Sequence, residues 1–460
     1  MHSILMPTEI INRDLDFQVM LAARVVRPGV RVFLGRADAI HRVAHEVEGG
    51  MFIGKAFDPF FPEVDTRFYR LLKQQGTVVL HLDDEGAVFL GDRNEWRETL
   101  LRRFDPAQIT TDDYVCAWGD WQRDLYRSTG AREPSRVRTT GHPRFDFLRS
   151  AMLRDYYAPA AAALTERHGS FLLLNTNLQV ANNGLGLKYT FTKRFGYDVT
   201  DRAKKTKSVT TYAHATTLLV NFVRLAHRLA DEFPDLKIIV RPHPSEDQKY
   251  YRTVFTGVPN VLVLHEGSVI PWLLASRALI HDGCTTGIEA ALAGVPIVNY
   301  KSIADVRYDA YLPNLFGTRC TTEDEAVLAV RNILAGNVKA PPPTELPIGD
   351  DERALLANFN GETFDRLLEV VREADSDQRV TSMRTLRLKA REQAARFVEN
   401  AKSLVRRVAP AGVIENAYSR NKFYGFRAAR VERRILDAER VTGRKLRLSL
   451  HGDNLLSLDA

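Results

Sequence analysis

The chain has 460 residues, 45% of them hydrophobic and 26% charged, with a formal net charge of +7. This length leaves room for two well-cored domains and an extension, and the composition excludes a disordered or fibrous chain. Three separated cysteines, Cys116, Cys284 and Cys320, exclude a disulfide framework or a cysteine zinc site and fit a reducing cytoplasm, while no stretch reaches the roughly 18–20 uninterrupted apolar residues of a membrane span.

In the first part of the chain, short β-prone runs alternate with helical periodicity. Strands are predicted at residues 2–6, 31–35, 51–57, 77–82, 114–118 and 137–140, and helices at 16–26, 37–47, 66–74, 93–103 and 121–128. The first eight residues lack a basic segment followed by an apolar core, so no signal peptide is expected. Strands separated by helices of this length imply a parallel, doubly wound sheet. Residues 155–167 begin a crossing into a second unit. Its strands are predicted at 171–174, 237–240, 261–264, 278–281 and 297–300, with a long helix over 210–232. Pro341-Pro342-Pro343 breaks regular structure. Only helices are predicted beyond it, over 383–408 and 426–440, where apolar residues recur at helical spacing in the first. The expected architecture is α/β: Rossmann-like domains over 1–160 and 161–345 facing a cleft, followed by a basic helical extension over 346–460.

The second unit repeats one grammar, a strand, a polar break and a helix. Ile239-Val240-Arg241-Pro242-His243-Pro244 is one instance. His281-Asp282-Gly283-Cys284-Thr285-Thr286-Gly287-Ile288-Glu289 is the other. Ligands of open α/β sheets sit outside the carboxyl ends of the strands, so both breaks point at one crevice. His243 offers a cation, with Arg241 two residues earlier on the same strand face. The Gly283–Thr286 turn offers backbone N–H groups and two hydroxyls at a helix N-terminus, where phosphate is favoured. N-capping alone also accounts for Thr285 and Thr286, and the two roles are compatible. Glu289 follows about one turn later among small and apolar neighbours, an odd place for an idle carboxylate. It can accept hydrogen bonds from vicinal ribose hydroxyls. Phosphate and ribose together indicate a nucleotide.

In the first unit, Asp83-Asp84-Glu85-Gly86 ends the strongly β-prone run at 77–82. Three neighbouring carboxylates repel one another, which raises a pKa and suits one of them for proton transfer. Gly86 permits close backbone approach. Asn175, Asn177 and Asn182, Asp58, and the pair Arg13-Asp14 are weaker strand-end candidates. A second His-Pro pair, His142-Pro143, is expected to line the interdomain cleft rather than to hold phosphate. No Asp-x-Asp pair stands at a strand end, so metal independence is expected, with His243 and the helix terminus neutralising a leaving phosphate.

Asp84-Glu85-Gly86 (or the offset reading from Asp83), His243-Pro244 and Thr285-Thr286, in this order over about residues 75–300, resemble three motifs of GT-B enzymes of bacterial surface-carbohydrate biosynthesis. The likeness is to CMP-sugar-dependent sialyltransferases and Kdo transferases (Kdo is 3-deoxy-manno-octulosonate). It implies a GT-B fold and a donor gripped through Arg241, His243, Pro244, Gly283, Thr285, Thr286 and Glu289. It implies catalysis by Asp83, Asp84 or Glu85, either as a base toward the acceptor hydroxyl or, in a retaining scheme, as a nucleophile at the anomeric carbon. The implied reaction moves Kdo or a related nonulosonic acid from a CMP-sugar, a substrate rather than a cofactor, to a surface polysaccharide or glycolipid. Residues 241–300 also resemble CDP-glycerol-type glycerophosphotransferases and UDP-sugar 2-epimerases, which leaves the donor open.

Charge is unevenly spread. Residues 379–447 hold 19 Lys/Arg against 6 Asp/Glu, a net +13, which leaves −6 for the rest. Helices needed only for packing have no reason to carry this charge. The tail is therefore expected to dock at the anionic inner face of the cytoplasmic membrane, where a lipid-linked acceptor is presented. Few aromatics interleave its bases and no RNA-binding motif is recognisable, so no nucleic-acid partner is expected.

Overall fold

A computed structural model describes residues 2–57, 62–376, 382–384, 386–394, 397 and 422–460. The first part of the chain forms β1 (His2–Pro7), β2 (Val30–Gly35), β3 (Val47–Glu48), β4 (Met51–Gly54), β5 (Val78–Leu82), β6 (Tyr114–Ala117) and β7 (Val137–Thr139). The middle forms β8 (Phe171–Asn175), β9 (Lys237–Arg241), β10 (Val261–Val263), β11 (Leu279–His281), β12 (Ile297–Tyr300) and β13 (Thr318–Cys320). The C-terminal part adds β14 (Ser382–Met383), β15 (Arg447–Leu450) and β16 (Leu455–Asp459).

One sheet has the order β15-β16-β2-β1-β4-β5-β6-β7, the other β10-β9-β8-β11-β12-β13. The pairings from β2 to β7 in the first sheet, and all those in the second, are parallel. Residues in β5 and β8 are buried throughout, as strands covered by helices on both faces must be. Strand order reverses around β1 in one sheet and around β8 in the other, and such switch points are where a crevice opens. Two doubly wound sheets facing a cleft are the GT-B arrangement.

The chain beyond residue 346 departs from the expected helical extension. It ends in the hairpin β15–β16, and β16 adds antiparallel to β2, pairing Leu458 with Val32. Helix Phe364–Ser376 returns to the first domain, where Arg24 meets Asp365 at 3.2 Å and Arg27 pairs with Asp375. Buried Asp146 accepts hydrogen bonds from the N–H groups of Thr363 (2.7 Å) and Phe364 (2.6 Å). Met383 lies in β14 rather than in a helix, and residues 398–408 of the predicted helix lie outside the described residues.

The tail's charge has a structural partner that composition did not reveal. Lys422 meets Glu9 at 3.1 Å, Arg434 meets buried Asp16 at 2.7 Å, Arg391 meets buried Glu46 at 2.8 Å, and Arg384 pairs with Glu48. Basic residues of the tail are thus matched to carboxylates of the first domain. The premise that packing helices have no use for such charge is incorrect for these residues.

Candidate active site

A cavity of about 320 Å³ opens between the two sheets, within the range of small-ligand sites. The first domain lines it with Asn12 and Arg13 from the first turn of helix Ile11–Val25, with Asp84, Glu85 and Gly86 after β5, and with Arg144 after β7. The second domain contributes Asn175 to Asn177 after β8, Arg241 to Pro244 after β9, and Gly283 to Thr286 with Glu289 after β11. Of the ten residues expected in the site, only Asp83 does not line this cavity.

On the second-domain wall, Gly283 adopts φ 60° and donates its N–H to Asn314 at 2.8 Å, while Lys301 meets Asp282 at 2.9 Å and fixes the turn. Helix Thr285–Ala293 follows. Its N-cap is Cys284, which offers no side-chain hydrogen bond, so the two threonines are first-turn residues rather than caps. The hydroxyl of Thr286 is buried beside the Cys284 thiol without an oxygen or nitrogen partner. A helix start whose first-turn hydroxyl has only a thiol beside it is well suited to an anion. Glu289 is buried in the same wall. Burial raises its pKa, opposed by Arg144, Arg13 and Arg241.

His243 and Arg241 play different parts from those expected. The Nδ1 of His243 accepts the Ser245 N–H at 3.2 Å, so the neutral ring carries its proton on Nε2. Burial, with Lys422 and Arg13 nearby, lowers its pKa to about 4. His243 is therefore a neutral donor rather than a resident cation. Arg241 donates to the carbonyl oxygens of Glu266 (2.9 Å) and Gly267 (2.6 Å). Its guanidinium thus braces the loop that carries Gly267 and Ser268 into the cavity wall.

On the opposite wall, one arginine sorts the three carboxylates. Arg103 grips Asp83 through Nη2 (2.8 Å) and Nε (3.0 Å) and reaches Glu85 at 2.9 Å. Although burial pushes the Asp83 carboxyl up, Arg103 holds it below the usual range. Glu85 is mostly solvent-exposed. Asp84 is half-buried in the cavity wall, with Arg13 at 3.6 Å, and its pKa is pushed up to about 8, first by desolvation and then by Asp14. A raised carboxyl in this triplet was anticipated, but its cause is not mutual repulsion, because Arg103 compensates Asp83 and Glu85. A Cβ on Gly86 would fall 2.5 Å from the Trp118 ring, so the glycine serves close packing.

Arg144 is the residue that sequence reasoning missed. It is buried against Trp118 and Phe145, with centroids at 5.0 and 4.8 Å, and donates to the Asp84 carbonyl at 2.8 Å. Its available signal was its place just after the first His-Pro pair. His142 itself does not line the cavity, contrary to expectation. It packs in the core with rings 5.0 Å from Phe17 and 5.1 Å from Trp118. The two His-Pro turns nevertheless share geometry, since His142 Nδ1 accepts the Arg144 N–H at 3.3 Å as His243 accepts that of Ser245. Arg13, a weak candidate from sequence, lines the cavity and meets Asp14 at 2.6 Å and Asp84 at 3.6 Å. The Oδ1 of Asn175 is buried without a partner at the cavity, whereas Asn182 is bonded to the Asp247 carbonyl away from it. Asp58 lies outside the described residues.

No family model matches the chain, and no curated protein matches it. Among solved structures it is similar to a UDP-GlcNAc 2-epimerase of Methanocaldococcus jannaschii in complex with UDP-GlcNAc and UDP, at 13% identity and TM-score 0.46 over 81% of this chain and 99% of that one. It is similar to a variant of the wall teichoic acid polymerase TagF soaked with CDPG, at 12% identity and TM-score 0.48 over 81% and 88%. It is also similar to S. aureus MnaA with UDP, at 10% identity and TM-score 0.43 over 81% and 96%. The functional reading rests on the cleft itself.

Proposed function

We propose that the protein is a glycosyltransferase of bacterial surface-carbohydrate synthesis, using a CMP-sugar whose sugar is Kdo or a related nonulosonic acid. The observation that carries the reading is a helix start with no side-chain N-cap, its Thr286 hydroxyl without an oxygen or nitrogen partner, facing a cleft whose other wall carries Asp84 beside Arg13. The donor's phosphate lies on the first-turn N–H groups and Thr286, with His243 Nε2–H as a further donor, and Glu289 accepts from the ribose hydroxyls. Asp84 removes the proton of the acceptor hydroxyl while that oxygen bonds to the anomeric carbon. The bond from that carbon to the phosphate oxygen breaks, and the nucleotide leaves with the electron pair. A base whose pKa lies near the working pH is efficient for this step. The acceptor is a surface saccharide or its lipid-linked form. Tail charges not matched to the first domain contribute attraction to an anionic membrane.

A melting-temperature panel with CMP, CDP, UDP and GDP tests the donor. CMP should raise the melting temperature most. Glu289→Gln should weaken CMP binding by about tenfold, or roughly 1.4 kcal/mol, the scale of a buried hydrogen bond to a charged group. Stabilisation by UDP or GDP with CMP silent would contradict the CMP-sugar reading, and UDP alone would favour epimerase chemistry.

A further inference from the structure

The connection from β8 to the long helix Arg202–Glu232 does more than line the cleft. Asn177 and Gln179 face the cavity, and the chain then runs out through residues 185–201 before the helix begins. Between Lys188 and Lys207 it holds seven Lys/Arg against two Asp, a net charge of +5. Lys188, Lys193, Arg202, Lys204, Lys205 and Lys207 are exposed. Among them stand large apolar side chains that water does not favour: Leu187 is 48% exposed, Phe195 44%, Val199 63% and Val209 48%.

This surface is built rather than frayed. Tyr189 packs on Phe195 at 5.1 Å between ring centroids, and Phe191 packs on Tyr197 at 5.4 Å and on Tyr212 of the helix at 5.3 Å. These rings staple the segment to the helix, where Lys205 and Val209 lie one turn apart on one face. One turn beyond, His214 stacks on Tyr308 at 4.4 Å, which brings in the turn carrying the highly exposed Val306 and the exposed Arg307. An isolated exposed Leu or Val needs no explanation, but a group of them in a segment of net positive charge marks an interaction surface, even with Asp201 at 3.6 Å from Lys204.

We propose that this face, centred on Leu187, Phe195, Val199 and Lys204–Lys207, docks the protein on an anionic lipid surface. The lysines meet the headgroups and the apolar side chains enter the boundary between headgroups and acyl chains, the division of labour of interfacial segments. Aliphatic Leu187, Val199 and Val209 favour lipid over nucleic acid, which would be met by stacking aromatics without exposed aliphatics. The face begins at Leu187, eight residues after the cleft-lining Gln179, so docking keeps the cleft near the membrane. The benefit of that placement rests on the transfer reading, since a lipid-linked acceptor would be presented there. The docking itself does not.

Co-sedimentation of the full chain with phosphatidylglycerol and phosphatidylcholine vesicles tests this. The wild type should bind phosphatidylglycerol at low salt and release at high salt, with little binding to phosphatidylcholine. Lys204→Glu with Lys205→Glu and Lys207→Glu should lower partition at least tenfold, and Leu187→Asp with Phe195→Asp should do the same. All these positions are on the surface, and an unchanged melting temperature, with its CMP response measured separately, reports on folding and on the cleft. Patch variants that partition like the wild type would overturn the proposal, as would loss confined to Lys402→Glu with Arg406→Glu and Arg407→Glu in the tail. Wild-type protein that ignores the vesicles but is retained by poly(U) would overturn it in favour of nucleic acid.

Discussion

Asp84 differs from Asp83 and Glu85 through its surroundings rather than its chemistry: two carboxylates share the Arg103 guanidinium and the third is half-buried near Asp14. If it is the base, kcat/KM should rise with pH on a limb near 8. Asp84→Asn should flatten that limb and lower turnover by roughly 10²- to 10⁴-fold, the usual contribution of a positioned base. Retention of the limb in a folded Asp84→Asn variant would place the base elsewhere. Stability should move the opposite way. The folded carboxyl pKa is about 8 against an ordinary 3.8, so the folded state holds an extra proton between these values. That contribution is present at low pH and lost as pH rises through about 8. Asp84→Asn should therefore gain on the wild type progressively from about pH 4 to about pH 8 and melt higher than it at pH 9, in paired thermal scans. Glu289 was legible in the sequence because a carboxylate among Gly, Ile and Ala is conspicuous. Arg144 was not, because its burial comes from Trp118 and Phe145, which only the tertiary fold brings to it.

At the scale of elements, the buried parallel strands announced themselves as apolar runs of near-correct length, β12 to the residue. The misses were short or peripheral. β13 spans only Thr318–Cys320, too brief to show a period. Strands β15 and β16 follow a long basic stretch and owe their strand character to the open edge of β2, a partner more than four hundred residues away. The hairpin covers the backbone groups of that edge, and an uncovered edge invites pairing with other chains. Removing residues 447–460 should thus lower the melting temperature and yield soluble aggregates, detected by light scattering after size exclusion. A monodisperse truncated chain with wild-type melting would show that the hairpin is dispensable for this protection.

Across the whole molecule, the cleft joins two half-sites that neither domain completes. The second domain offers the helix start, the neutral His243 and Glu289. The first brings Arg13, Asp84 and Arg144 to face them, with Arg13 and Arg144 acting electrostatically on Glu289. Helix Phe364–Ser376, helix Ala428–Thr442 and β16 tie the chain's end back to the first domain, so the two walls belong to one continuous construction. The positions of the motif residues along the sequence were enough to foresee the convergence of two strand ends. They did not reveal which groups would be charged, because that depends on burial and on partners from the other wall. The proposed donor site puts a nucleotide's phosphate on the turn at Gly283–Thr286 and its ribose on Glu289. A crystal structure of the full chain soaked with CMP measures this directly. Phosphate oxygens should lie within hydrogen-bonding distance of the Thr285 and Thr286 N–H groups and the Thr286 hydroxyl, with ribose hydroxyls on the Glu289 carboxylate. Well-defined CMP bound away from this turn, or a cleft left empty at saturating CMP, would contradict it.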